Sequence, residues 1–167
     1  SSTVPLAEAA VDHTQAARDI LTRGGWKFDD GTQSWTRDKT TLSLKIATAD
    51  TEELVATARA IADAWNAAGI TTDVEVYALQ EFNQTILRPR AYDAILFGEV
   101  VGRSLDLYAF WHSSQRNDPG LNLALYTNAA ADKALIDARS HTDTAARQES
   151  YRAFLDAVAE DTPAVFL

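Results

Sequence analysis

At 167 residues the chain is long enough for one domain with a real core, and a hydrophobic content of 46% argues against disorder. The formal net charge of −9, with no basic cluster to offset it, argues against nucleic acid and anionic membrane as partners. Cysteine is absent, which excludes disulfides and thiolate metal sites, and no apolar run approaches the length that spans a bilayer.

Residues 1–12 read as a lead-in. Thr14 is placed to cap a helix from Gln15 to about Arg23, with Ala16, Ala17, Ile20 and Leu21 as its apolar stripe and Gly24-Gly25 as its stop. Trp26 and Phe28 flank Lys27 as in a short strand. Asp29-Asp30-Gly31 marks a turn, Ser34-Trp35 follows, and Arg37-Asp38-Lys39 marks a second turn. Leu42, Leu44 and Ile46 alternate with Ser43, Lys45 and Ala47, which predicts a strand buried mainly on one face.

Asp50 and Glu53 have capping-box spacing, and Leu54, Val55, Ala58, Ile61, Ala62, Trp65 and Ala68 share one helical face before Gly69. Thr72, Val74 and Val76 predict the next strand, parallel to the one before the helix. A shorter helix is expected from about Leu79 to Leu87, ending before Pro89. A buried strand follows within Ala91–Phe97 and is closed by Gly98. After a polar segment, Asn128 is read as the cap of one helix, and Thr142 or Asp143 as the cap of a last long one. Pro163 to Leu167 reads as a strand that stops abruptly. That ending, with the start at Ser1-Ser2-Thr3, leads us to expect a piece of a longer chain.

The fold class is α/β: a small, mostly parallel sheet flanked by helices, with an N-terminal hairpin, all in a single domain over residues 1–167. In open sheets of this kind, ligands bind beyond the carboxyl ends of strands. The segment after Gly98 is where this chain concentrates polar and aromatic side chains. Its candidate ligand-binding residues are Glu99, Arg103, Asp106, Trp111, His112, Asn122 and Tyr126.

Each candidate has an alternative. Glu99 is a ligand contact or a solvated loop acid. Asp106 touches ligand or caps a short helix over Leu107–Trp111. Trp111 is a stacking wall or a packed core residue. His112 meets ligand or is held by neighbouring hydroxyls. Arg103 grips an anionic group or sits in solvent. Asn122 and Tyr126 reach a cleft or serve the turn. Trp26, Trp35 and Trp65 are read as packing.

Several stretches together resemble one family. These are Ala16-Ala17-Arg18-Asp19-Ile20-Leu21 through Gly25-Trp26, Ala68-Gly69-Ile70, Tyr92-Asp93-Ala94 with Gly98, and Trp111-His112-Ser113-Ser114-Gln115. Tyr126-Thr127-Asn128 with Asp132, Ala138-Arg139, Arg147, Tyr151, and Asp161 with Pro163 complete the set. In order and spacing they resemble the extracellular solute-binding proteins of family 5, the peptide, oligopeptide and nickel receptors of ABC importers. The resemblance runs from about residue 12 to 167 and implies the second lobe of a two-lobe, periplasmic-binding-protein-like fold. It implies a peptide or other small solute as ligand, and the missing first lobe and an ABC permease as partners. It also implies an extracellular or periplasmic location compatible with a lipid anchor in the full-length protein.

One departure stands out. Peptide-binding members resemble Gly-Trp-x-x-Asp after the central strand, the Asp holding the peptide amino group. Here the run is Gly98-Glu99-Val100-Val101-Gly102, so recognition of a free amino terminus is not expected to follow that pattern.

A catalytic set is not apparent, and neither an enzyme activity, a cofactor nor a metal is expected. His13, His112 and His141 have no metal-ligand spacing, and neither a phosphate-binding glycine loop nor a Gly-x-Ser-x-Gly elbow occurs. Two other readings stay open: a small stand-alone α/β enzyme or phosphoacceptor domain around Asp50, and a protein-interaction module.

Overall fold

The computed structural model describes residues 13–98 and 106–167. The chain divides into two compact units, residues 1–77 with 93–96 and residues 78–92 with 97–167.

In the first unit, α1 (His13–Arg23) leads into a three-stranded antiparallel sheet of β1 (Lys27–Asp29), β2 (Ser34–Arg37) and β3 (Thr40–Thr41). The predicted turn is stabilised by Asp29, whose Oδ1 accepts from the Gly31 and Thr32 amides at 2.8 and 3.3 Å. Phe28 and Trp35 are cross-strand partners with their rings edge to face at 5.2 Å.

The parallel sheet is built from β4 (Ser43–Ala49), β5 (Thr71–Tyr77) and β6 (Ala94–Leu96), in the order β5-β4-β6. Helix α2 (Glu52–Ala67) joins β4 to β5 and covers one sheet face. Ile46 sits at the centre, paired to Val74 on one side and Ala94 on the other, and packs on Ala58, Ala62, Ile61 and Trp65.

Two expectations change here. The strand is buried on both faces toward its end, since Ala47 and Ala49 are buried as well as Ile46 and Thr48. A central parallel strand has two covered faces, so the alternation holds only over its first half. The capping box is also absent. The Asp50 amide donates to Tyr77 O at 2.9 Å and so extends the ladder, which moves the helix cap to Thr51, with no side-chain cap bond. Glu52 and Glu53 still place negative charge in the first turn, where the helix dipole favours it.

Trp35 locks the end of α2. Its Nε1 donates to Ala68 O at 2.8 Å, and the Gly69 carbonyl accepts from the Trp35 amide. Gly69 closes the helix at φ +88, and a Cβ there would lie 2.5 Å from the Phe28 ring.

The second unit begins with α3 (Leu79–Glu81), which runs on as π-helix over Phe82–Leu87 and buries Phe82, Ile86 and Leu87. The wider winding was not readable from apolar spacing, which tolerates either period over so few residues. A short helix α4 (Tyr108–Trp111) and a 3-10 turn (Ser113–Gln115) precede the helical hairpin of α5 (Ala129–Ser140) and α6 (Thr144–Asp161). Both predicted caps form. Asn128 Oδ1 accepts from the Ala130 and Ala131 amides at 2.8 and 3.1 Å, and Asp143 accepts from Ala146 at 2.8 Å.

The core of this unit is Tyr126, Ala131, Ala134, Leu135, Phe154 and Val158, with Leu107, Tyr108 and Trp111 packed against it. Helix α6 ends at Thr162 in the left-handed region, φ 48. Residues 163–167 pair with no strand among the described residues, and Val165, Phe166 and Leu167 are 76–81% exposed.

Gly69→Ala places a methyl group against the Phe28 and Trp35 rings and strains a positive φ. We expect it to lower unfolding free energy by about 2 kcal/mol or more, read as the midpoint shift in a urea titration.

Candidate functional site

Residues 106–128, which precede α5, belong to no strand ladder, so their backbone polar groups must find partners elsewhere. Some pair within backbone turns, such as the Asn122 amide on Gln115 O at 3.0 Å, and others are met by side chains. Asn122 is fully buried in the middle of the loop. Its Nδ2 donates to Trp111 O at 3.1 Å, His112 O at 3.2 Å and Tyr126 O at 3.0 Å, while its Oδ1 accepts from the Tyr126 amide at 3.1 Å. One amide thus ties the end of α4 to the lead-in of α5. All four bonds run to the loop's own backbone, so Asn122 shapes the loop.

Two side chains from the turn after the π-helix hold the same loop. Arg90 Nε donates to Arg116 O at 2.9 Å and its Nη2 to Gly120 O at 2.7 Å, while Nη1 reaches Leu87 O in its own turn. Tyr92 donates its hydroxyl to Leu123 O at 2.6 Å, and burial pushes that phenol's pKa upward. Gly120 is required for the fit, since a Cβ there would lie 2.2 Å from Gln115 O.

Asp106 stands at the start of α4. Its Oδ1 accepts from the Tyr108 amide at 3.2 Å, but the helix begins one residue later than expected with Leu107 as its N-cap, so Asp106 is not the cap; both its oxygens face Arg139 at 2.5–3.1 Å. The Arg139 guanidinium, with help from the Tyr108 amide, holds the Asp106 carboxyl below the usual carboxylate range. Arg139 also lies 4.0 Å over the Tyr108 ring, whose own stacking partner is His112 at 4.1 Å.

His112 sits between Ser114 and Asp132. Its Nδ1 lies 2.9 Å from Ser114 Oγ, and its Nε2 lies 3.9 Å from Asp132 Oδ1. The group resembles a nucleophile–base–acid set only in composition. At 3.9 Å the carboxylate is not hydrogen-bonded to the ring. Its two oxygens instead accept from Ser113 N and Oγ at 2.8 and 2.5 Å. Nδ1 also accepts from the Ser114 amide at 3.1 Å, so the imidazole acts as the cap of the 3-10 turn.

Trp111 meets Tyr126 and Phe154 edge to face, with centroids 6.3 and 5.9 Å apart, and packs on the unit's core. Tyr126 is buried and donates its hydroxyl to Asp161 Oδ2 at 2.7 Å, where Asn128 Nδ2 also donates at 2.8 Å. Burial first, and the Asp161 carboxylate second, push the Tyr126 phenol up to about 12. The same two donors hold the Asp161 carboxyl below its ordinary value.

The structure therefore brings Asp106, Trp111, His112, Asn122 and Tyr126 into one unit, where Asn122 bonds the backbone of Trp111, His112 and Tyr126 while Asp106 pairs with Arg139. Glu99 and Arg103 lie outside the described residues. Arg90 was missed by sequence reasoning, and nothing in its Pro-Arg-Ala context signals a loop clasp. Among the described residues no group of three or more His, Cys, Asp or Glu is placed to hold a metal ion. No described helix is long and apolar enough to cross a membrane.

Comparison with known proteins agrees with the resemblance read from the sequence. No protein-family model matches the chain. It is 28% identical over 153 residues to the oligopeptide-binding protein AppA of Bacillus subtilis (strain 168), a match over 90% of this chain and 28% of that protein. The solved structure of AppA from Bacillus subtilis with a nonapeptide superposes with a TM-score of 0.84 at 24% identity, over 98% of this chain and 32% of that one. NikZ from Campylobacter jejuni in complex with Ni(L-His) gives a TM-score of 0.78 at 22% identity, over 90% of this chain and 30% of that one.

The fold is that of a lobe of the periplasmic-binding-protein class. Within that class the chain is similar to the family 5 solute-binding proteins, and it spans 28–32% of the length of the relatives named above.

Two outcomes follow from the loop chemistry. Asn122→Ala leaves several buried backbone groups without partners and is expected to cost about 3 kcal/mol or more in chemical denaturation. For Tyr126, a folded-state pKa near 12 against an ordinary 10.0 means stability that is full below pH 10 and lost as pH rises toward 12. Tyr126→Phe should remove that alkaline step from a plot of unfolding free energy against pH.

Proposed function

We propose that this chain is one ligand-binding lobe of a solute receptor for ABC-type import, with peptides as the favoured solute class. The observation that carries this reading is the match, over 98% of the chain, to an oligopeptide-binding protein solved with a nonapeptide. The solute would lie between this lobe and a first lobe supplied by the rest of a longer protein, and hinge closure would bury it. The receptor would work outside the cytoplasmic membrane and hand its solute to a permease. Its role is binding and not catalysis, a reading supported by relatives that are binding proteins and by a His112 site wired as a cap.

In this reading Glu99 and Arg103 supply ligand contacts, and the loop from Asp106 to Tyr126 is their support. Glu99 stands where peptide-binding members place a Trp, and Gly102 where they place the amine-holding Asp. A carboxylate in a desolvated cleft is a strong partner for an ammonium group, so Glu99 is the residue assigned to that task.

The test is a thermal-shift series on the full-length protein with di- to oligopeptides, nickel–histidine and oligosaccharides. Peptides should raise its Tm by mass action, and Glu99→Ala should abolish the rise. The isolated 167-residue chain, offering half the contacts, should bind no peptide at micromolar affinity. Micromolar binding by the isolated chain, or a shift by sugars alone, contradicts the proposal.

A further inference from the structure

Arg90 is an unusual residue for its position. It sits in the left-handed region at φ 58, where residues other than glycine, Asn and Asp are rare and persist only when their surroundings require it. That backbone turn, closed by the Arg90 amide on Leu87 O at 3.3 Å and the Ala91 amide on Ile86 O at 3.0 Å, aims the guanidinium at the 112–126 loop. There its guanidinium bonds run to backbone carbonyls. Nε, Nη1 and Nη2 each donate to a different backbone carbonyl, those of Arg116, Leu87 and Gly120.

A planar fork with fixed donor directions can serve three carbonyls at once, whereas a single ammonium nitrogen cannot span them. The loop is shaped to receive it. The Gly120 amide donates to Asn117 O at 2.7 Å and the Asn122 amide to Gln115 O at 3.0 Å. Gly120 packs closely on Gln115, and its carbonyl accepts from Arg90 Nη2 at 2.7 Å.

We infer that Arg90 is a positioning residue for ligand binding: it clasps the 112–126 loop in its binding-competent shape without touching ligand. The inference rests on the solute-receptor reading above. Its logic is a population shift. If loss of the clasp leaves the loop competent a tenth of the time, apparent Kd rises about tenfold.

Arg90→Gln and Arg90→Lys are compared with wild type in the full-length protein by two readouts. The first is limited trypsin digestion, because the Arg116–Asn117 bond is the one whose carbonyl Arg90 Nε holds, and the Arg116 side chain is exposed. Both variants should be cut at Arg116 at least about tenfold faster, with the Tm of the whole protein little changed, as expected for local opening. The second is affinity for a pool of synthetic nonapeptides with free termini. Both variants should bind about tenfold more weakly, and Lys should rescue neither readout.

Unchanged cleavage in Arg90→Gln overturns the clasp. Faster cleavage with unchanged affinity overturns the positioning role. Rescue by Lys shows that charge alone suffices and overturns the fork argument. If wild type binds no nonapeptide, the long-peptide assignment and the affinity claim both fail, while the trypsin readout still decides whether the clasp exists.

Discussion

The second unit depends on one carboxamide. A loop of irregular backbone with buried polar groups is affordable only if those groups are paired. Asn122 pairs four of them from a fully buried position. Trp111 sits against Tyr126 because the carbonyls on either side of the gap share one donor group. Tyr126 in turn reaches Asp161, and Asn128 joins the same carboxylate while capping α5. The start of α5 and the end of α6 are thereby tied to the loop through a single oxygen, Asp161 Oδ2.

From this follows a division of labour. Side chains that look suited to a ligand are largely occupied in making the loop rigid. Asp106 serves Arg139 and the start of α4, His112 caps a turn, and Tyr126 holds the helix hairpin. A rigid support is what the half-site proposed above requires. A lobe that contributes only part of the contacts gains affinity by having them pre-ordered, since ordering a loose loop on binding costs free energy. The parallel sheet of the first unit is likewise uninterrupted, from Ile46 at its centre to Thr48, whose hydroxyl donates to Leu96 O at 2.9 Å across the β4–β6 pair.

Much of the fold was legible in the sequence because period and punctuation agree. The Leu54-to-Trp65 stripe, the glycine after it, and the short apolar run before Gly98 name a strand–helix–strand path with little ambiguity. Asn128 and Asp143 announced their helices for the same reason that they cap them. The errors have a common source. Asp50 has capping-box spacing, but its amide is taken by β5. Pro163 to Leu167 has strand composition but joins no ladder among the described residues. Both outcomes depend on distant chain, which local pattern does not contain. The site was legible only as a region. Sequence shows that Asn122 and Tyr126 have ligand-like chemistry, yet it does not show which way they point. Arg90 carries no pattern at all, because its role comes from a left-handed turn and three carbonyls contributed by other residues.

The most direct test of the account is native-state hydrogen exchange at the Tyr126 amide, the donor to the buried Asn122 Oδ1. If the loop is a rigid scaffold bolted by that carboxamide, this amide exchanges as slowly as that of Leu135 in the core of α5, although it lies outside any helix or strand. If it exchanges as fast as the exposed turn at Gly31, the loop is not held from within. The support proposed for the ligand contacts would then not exist.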